Sequence, residues 1–312
     1  MSFKKPVQKF TASVNEVTLG TGDKALTIGG EKCYPFYSFD SEIKNPPAIG
    51  VEVSDLGFDG VPGVGDYYAG CNGVGEMVKR ASELEGCDFI CLKLDAADPN
   101  GENRSVEDCV LEAKAAAEAT DKPLVIAGCK NHEKDALLFE KISEALQGKN
   151  ILVFSAREEN YKTVSAAAGL AYNQKVGAES SVDVNLAKQL NVLITQLGIG
   201  SAAIVMNPGS AAAGYGFEYV ISTFDRIKAA GLSQNDAMLQ APIMTLVGSE
   251  CWNIKEAVVS QEDMPQWGSQ EDRGVAMELT TAAACLASGS NAVILRHPRS
   301  VKAASKLVKA LV

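Results

Sequence analysis

The chain has 312 residues, 46% hydrophobic and 22% charged, with a formal net charge of −10 at pH 7. That suffices to bury a large core. The negative balance argues against a nucleic-acid partner, because that affinity rests on cations and here no Lys/Arg run exceeds two residues. No apolar stretch approaches the length needed to cross a bilayer, and the start "MSFKKPVQKFTASVNE" lacks the apolar core of a signal peptide. A cytoplasmic protein without membrane partners is expected.

In chain order, "FTASVNEVTLG" and "KALTIGG" alternate like strands around a "TGD" turn. From 48 to 312 one pattern repeats: a short apolar run, a polar or glycine-rich turn, then an amphipathic helix. The runs are 48–53 "AIGVEV", 89–94 "FICLKL", 123–128 "PLVIAG", 151–155 "ILVFS", 175–180 "KVGAES", 202–207 "AAIVMN", 243–248 "IMTLVG" and 291–296 "NAVILR". Between them, Val106, Cys109, Val110, Ala113 and Ala117 share one helical face, as do Val301, Ala304, Val308 and Leu311. Eight strands alternating with helices predict a closed (β/α)8 TIM barrel of the α/β class, with a doubly wound open sheet as the runner-up. Residues 1–47 read as a hairpin and lead-in that cap the N-terminal end of this barrel. No linker-like tract divides the chain, so one structural domain is expected.

Strand alternation then assigns faces. In "FICLKLD", Ile90, Leu92 and Leu94 form an aliphatic face suited to packing under helices, which turns Phe89, Cys91, Lys93 and Asp95 inward. The same reasoning turns Glu52 and Arg296 inward. The eighth strand closes onto the first and the second adjoins it, so Glu52 should lie between Lys93 and Arg296. Glu179 and Asn207 take upper inward positions. A polar, charge-paired mouth is expected.

Each chemical reading has a plainer rival. An inward Lys93 can form a Schiff base if burial lowers its pKa, but nearby carboxylates hold it protonated, which favours an ion pair. "DPNG", 98–101, is turn chemistry, and Ser105 three residues before Asp108 caps the next helix. Asp95 ends a strand at the face where barrel function concentrates. His132 and His297 also fall on that face, each with a solvated loop histidine as the plainer reading. A metal would need converging partners, and the chain holds only 2 histidines. Seven glycines lie between Gly57 and Gly75 without a phosphate-binding motif. The segment Ser249 to Asp272 reads as the longest loop and carries both tryptophans, Trp252 and Trp267; it serves either as an interface anchor or as a self-packed flap. The 8 cysteines include no C-x-x-C, so buried reduced thiols are expected and no iron–sulfur cluster.

Four stretches together resemble one known family: "FTASVNEVTLGTGDKALTIGGEKCYPFYSFD", "PPAIGVEVSDLG", "LKLDAADPN" and "NPGSAAAGYGFEYVISTFDRIK". The chain is similar over essentially its full length to the small subunit of the corrinoid iron–sulfur protein, also called the delta subunit of the acetyl-CoA decarbonylase/synthase complex. The resemblance implies a methyl carrier of the reductive acetyl-CoA (Wood–Ljungdahl) pathway. A cobamide, a B12-type corrinoid, is shared with a large subunit that alone holds a 4Fe–4S cluster. Reduced cobalt takes a methyl group from methyltetrahydrofolate on a methyltransferase and gives it to acetyl-CoA synthase, with a reductive activator as a further partner. No D-x-H-x-x-G motif is present to place a histidine beneath cobalt.

Strand-end position alone nominates Asp95, Asn207, Gly209, Arg296 and His297 for the cofactor face; no catalytic residue or metal ligand is assigned. Two rival readings remain. One is a free-standing pterin-dependent barrel methyltransferase, and the other an aldolase-type enzyme working through Lys93.

Overall fold

A computed structural model describes residues 6–209 and 213–312. Two short antiparallel strands, β1 (Val17–Leu19) and β2 (Leu26–Ile28), form the N-terminal hairpin. Eight parallel strands come next and close into a barrel: β3 (Ala48–Ser54), β4 (Phe89–Lys93), β5 (Leu124–Ala127), β6 (Leu152–Ala156), β7 (Lys175–Glu179), β8 (Ile204–Asn207), β9 (Ile243–Leu246) and β10 (Ser290–Leu295). β10 pairs with both β9 and β3, which closes the ring. The open-sheet alternative is thereby excluded.

Helices wrap the outside. Those after β3 to β6 are α1 (Val64–Tyr68), α2 (Val74–Ser82), α3 (Val106–Ala119), α4 (His132–Ala145) and α5 (Tyr161–Val164). The remainder are α6 (Val184–Gln196), α7 (Phe217–Lys228), α8 (Val247–Cys251), α9 (Lys255–Val258), α10 (Gln270–Ser288) and α11 (Pro298–Leu311). Local chemistry sets their starts. Ser105, Asn131, Asp183 and Ser269 each accept a backbone N–H of the first turn, satisfying donors that have no partner inside the helix.

The core has two layers. Ile49, Val51, Val53, Ile90, Leu92 and Leu94 pack outward against the helices. Phe89, Cys91, Val125, Leu152, Phe154, Met244 and Ile294 fill the cylinder, as alternation along the strands requires. Gly50 is part of this fit, since a Cβ there would drive into the Phe89 ring. Val17, Leu19 and Ile28 of the hairpin join the inner layer at the N-terminal end. Glu31, just beyond, accepts hydrogen bonds from Lys228 (2.9 Å) and Asn291 (2.7 Å).

Three expectations need correction. The run 243–248 is a strand only to Leu246, after which α8 begins at once. The stretch at 202–207 starts as a 3-10 turn, Ser201–Ala203, before the strand. The supposed long loop after β9 is not structureless: it holds α8, α9 and a 3-10 turn at Pro265–Trp267. Trp252 packs there with Ala257 and Val275, so the segment is a self-packed flap. No helix among the described residues is long and apolar enough to cross a membrane.

Candidate functional site at the barrel mouth

The C-terminal ends of the strands carry a network of paired charges. Glu52 of β3 is fully buried, and its Oε1 accepts from Arg296 Nε (3.1 Å) and Nη2 (2.5 Å). Ser249 Oγ donates to its other oxygen at 2.5 Å. The Arg296 guanidinium also lies 5.2 Å from the centre of the Phe58 ring. Burial works to raise the Glu52 pKa, but the charges of Arg296 and Lys93 and the hydrogen bonds from Ser249 and Arg296 outweigh it, so the carboxyl stays ionised.

Beside this pair, Lys93 Nζ donates to Asp95 Oδ1 at 2.6 Å, and Ser54 Oγ donates to Asp95 Oδ2 at 2.8 Å. Burial pulls the Lys93 pKa down, yet Glu52 and Asp95 together push it above its ordinary value. A lysine held protonated in this way is a poor nucleophile. The ion-pair reading of Lys93 is the one the geometry carries, and the aldolase reading loses its nucleophile. Cys91, inside the barrel, is pushed up by burial and then by Glu52, so it is no thiolate either.

Across the mouth, Arg157 Nη2 donates to Glu179 Oε1 at 2.9 Å and its Nη1 donates to the Lys130 carbonyl at 3.1 Å. Lys130 Nζ meets Glu250 Oε1 at 2.8 Å. Asn207 Nδ2 donates to Ser155 Oγ at 2.9 Å, while its Oδ1 accepts the Gly209 N–H at 3.2 Å. Between these groups lies a cavity of about 140 Å³, lined among others by Lys93, Lys130, Arg157, Glu179, Asn207 and Gly209, with Phe154 and Leu246 contributing apolar surface. A larger hollow of about 380 Å³ sits at the opposite end, by Thr21, Lys122 and Lys149. The mouth is the stronger candidate because charged side chains at or just past the C-terminal ends of β4, β5, β6, β7 and β9 converge there.

The nominated residues divide. Asn207 and Gly209 line the cavity. Asp95 reaches it only through Lys93. Arg296 points inward as expected but is consumed by Glu52 beneath the mouth. His297 departs most from expectation. It is 2% exposed, not solvated. It caps α11 by accepting the Arg299 N–H on Nδ1 (3.0 Å) and stacks on Trp252 with ring centres 5.7 Å apart. Its Nε2 lies 3.3 Å from Glu271, and burial lowers its pKa. Neutral His297 is a fastener between α11 and the flap.

Lys130, Arg157 and Glu250 were not singled out from sequence. Each lies one to four residues past a strand end, and a scan of loops for paired charges was the signal that could have found them. Asp98 is a turn residue, accepting the Asn100 N–H at 2.9 Å. Among the described residues no group of three His, Cys, Asp or Glu side chains is placed to hold a metal ion.

A (β/α)8 barrel with a charge-paired mouth, plugged at its other end by its own hairpin, is the class of protein these features define. Residues 16–283 match the family described as CO dehydrogenase/acetyl-CoA synthase delta subunit, and the chain belongs to that family. The acetyl-CoA decarbonylase/synthase complex subunit delta of Methanothermobacter thermautotrophicus is 30% identical over 304 residues, covering 96% of this chain and 76% of that protein. Its counterpart from Methanocaldococcus jannaschii is 28% identical, covering 100% and 77%. Among solved structures, dihydropteroate synthase from Yersinia pestis superposes with a TM-score of 0.56 at 13% identity, over 96% of this chain and 98% of that one. The Xanthomonas albilineans enzyme with 4-aminobenzoic acid gives 0.56 at 14%, over 95% and 98%. These two likenesses concern the fold alone.

Proposed function

We propose that this chain is the small subunit of a heterodimeric corrinoid iron–sulfur methyl carrier in the reductive acetyl-CoA pathway. It covers a cobamide shared with a large subunit, which holds the 4Fe–4S cluster. The methyl group passes from a methyltetrahydrofolate methyltransferase to acetyl-CoA synthase, and a reductive activator restores the carrier. The observation that carries this reading, beside family membership, is the state of the mouth. Its lysine, thiol and arginine are tied down or protonated, so the rim is built to present polar groups and not to attack a substrate.

The donor set fits a cobamide. Such a macrocycle is edged with carboxamides that both donate and accept hydrogen bonds, and the rim offers both kinds of partner in Asn207, Arg157, Glu179, Lys130 and Glu250. The cavity of about 140 Å³ cannot enclose the ring, which would lie outside it. When bound, the cobamide supplies the cobalt that carries the methyl group. The chain's own part is to exclude water and oxidants from that side and to orient the ring by its edge. Tyr215, 90% exposed, and Tyr219, 67% exposed, stand on the same face beyond β8 and suit a partner surface. The eight free thiols suit a reducing cytoplasm.

The rival reading, a free-standing pterin methyltransferase, requires this chain to bind the pterin and transfer the methyl group without a partner. Purification of the chain alone and with its large subunit separates the two. A corrinoid absorption band in the complex and no methyl transfer from methyltetrahydrofolate by the lone chain is the expected result. Turnover by the lone chain would overturn the proposal in favour of the rival.

A further inference from the structure

Resting on the covering role just proposed, the geometry points to a specific occupant for the mouth cavity: one peripheral carboxamide arm of the cobamide, admitted when the Lys130–Glu250 ion pair opens. Size comes first. A space of about 140 Å³ matches a group no larger than benzene, which suits a propionamide arm and excludes the ring that bears it.

Charge comes next. Three cations, Lys93, Lys130 and Arg157, and three acids, Asp135, Glu179 and Glu250, line the space. A charged guest would leave one of them uncompensated in a half-buried site, which is costly. A carboxamide is neutral and brings one acceptor and two donors. The lining has matching capacity to spare. Glu179 Oε1 is taken by Arg157, and among the described residues its Oε2 is met only by Asn207 at 3.5 Å. Lys93 Nζ spends one N–H on Asp95 and carries three. Glu179 would accept from the arm's amide and Lys93 would donate to its carbonyl.

The third observation is the strap. Lys130 follows β5 and Glu250 lies on α8 just after β9, and these strands stand on opposite sides of the closed ring. Their 2.8 Å contact therefore spans the mouth. The Lys130 side chain is 53% exposed and that of Glu250 20%, and a pair with one partner so open to solvent holds weakly. Its backbone is fixed at φ 69° with the carbonyl held by Arg157, so the side chain can swing without moving the loop.

The test uses the reconstituted heterodimer and a set of cobamides in which a single amide arm has been hydrolysed to a carboxylate. Visible absorbance of retained corrinoid gives the affinity. One isomer should bind about tenfold or more weaker than the parent, because a carboxylate would face Glu179 and a hydrogen bond to a charged group is lost. Glu179→Gln should restore that isomer and weaken the parent and the other isomers, whose arm amide loses its charged acceptor. Equal binding of all isomers, or an equal effect of Glu179→Gln on all of them, would overturn the arm site while leaving the covering role intact. Failure of the wild-type heterodimer to retain unmodified cobamide would sink both. As a check insensitive to folding, Lys130→Ala should speed corrinoid uptake several-fold with an unchanged thermal midpoint; an unchanged rate removes the strap from the account.

Discussion

The two ends of the barrel are closed by opposite physics. At the N-terminal end, Val17, Leu19 and Ile28 of the hairpin seat onto the inner aliphatic layer, with Glu31 and its partners Lys228 and Asn291 just beyond. At the C-terminal end, Glu52 and Arg296 lie buried as an ion pair, with Lys93–Asp95 and Arg157–Glu179 above them. Apolar closure is non-directional and yields stability in proportion to area. A paired-charge closure costs desolvation on both partners and gives little net stability, but it fixes where every group points. The first end holds the fold together and the second positions a surface.

That contrast can be broken experimentally. Arg296→Met strands the buried Glu52 carboxylate and should cost about 3–5 kcal/mol in urea unfolding. Replacing both partners with apolar residues should recover much of it. A double variant as unstable as the single would mean that the pair stabilises the fold outright. At the plug, Leu19→Ala should cost about 3 kcal/mol through lost burial and a residual cavity, with no second-site charge change able to compensate. A loss under about 1 kcal/mol would show that the hairpin is not part of the closed core.

A further effect concerns pH. Burial raises Asp55 from 3.8 to about 6, against the Ala96 N–H and Arg104 that partly hold it down. The folded state therefore binds this proton more tightly than the unfolded chain. Its contribution to stability is full below about 4 and is lost as pH rises through about 6. Asp55→Asn should flatten that segment of the stability profile relative to wild type, and identical slopes would remove Asp55 as the cause.

How much of this was legible in the sequence depends on what each signal encodes. Period-two alternation in "FICLKLD" assigned Lys93 inward and Leu92 outward, and ring closure placed Glu52 between Lys93 and Arg296; both hold. Alternation ends where strands end, so it carried no information on Lys130 and Arg157, whose directions depend on loop backbone. Position at a strand end also overstated His297. The residue does follow β10, but capping of α11 and stacking on Trp252 turn it away from the mouth. Sequence left Trp252 open between an interface anchor and a self-packed flap, because burial of a loop side chain depends on distant partners; in the fold it is 5% exposed.

The hairpin has a consequence for how the molecule is made. Its seat includes Ala292 and Ile294 of β10, and Glu31 bonds to Asn291 across 260 residues. At ribosomal rates of about 5–20 residues per second, roughly 13–50 s separate synthesis of the two surfaces. During that interval three aliphatic side chains wait without their receptor, as contacts so distant in sequence require. Nascent chains of this protein should therefore lean on holding chaperones until the strand that completes the cylinder leaves the exit tunnel.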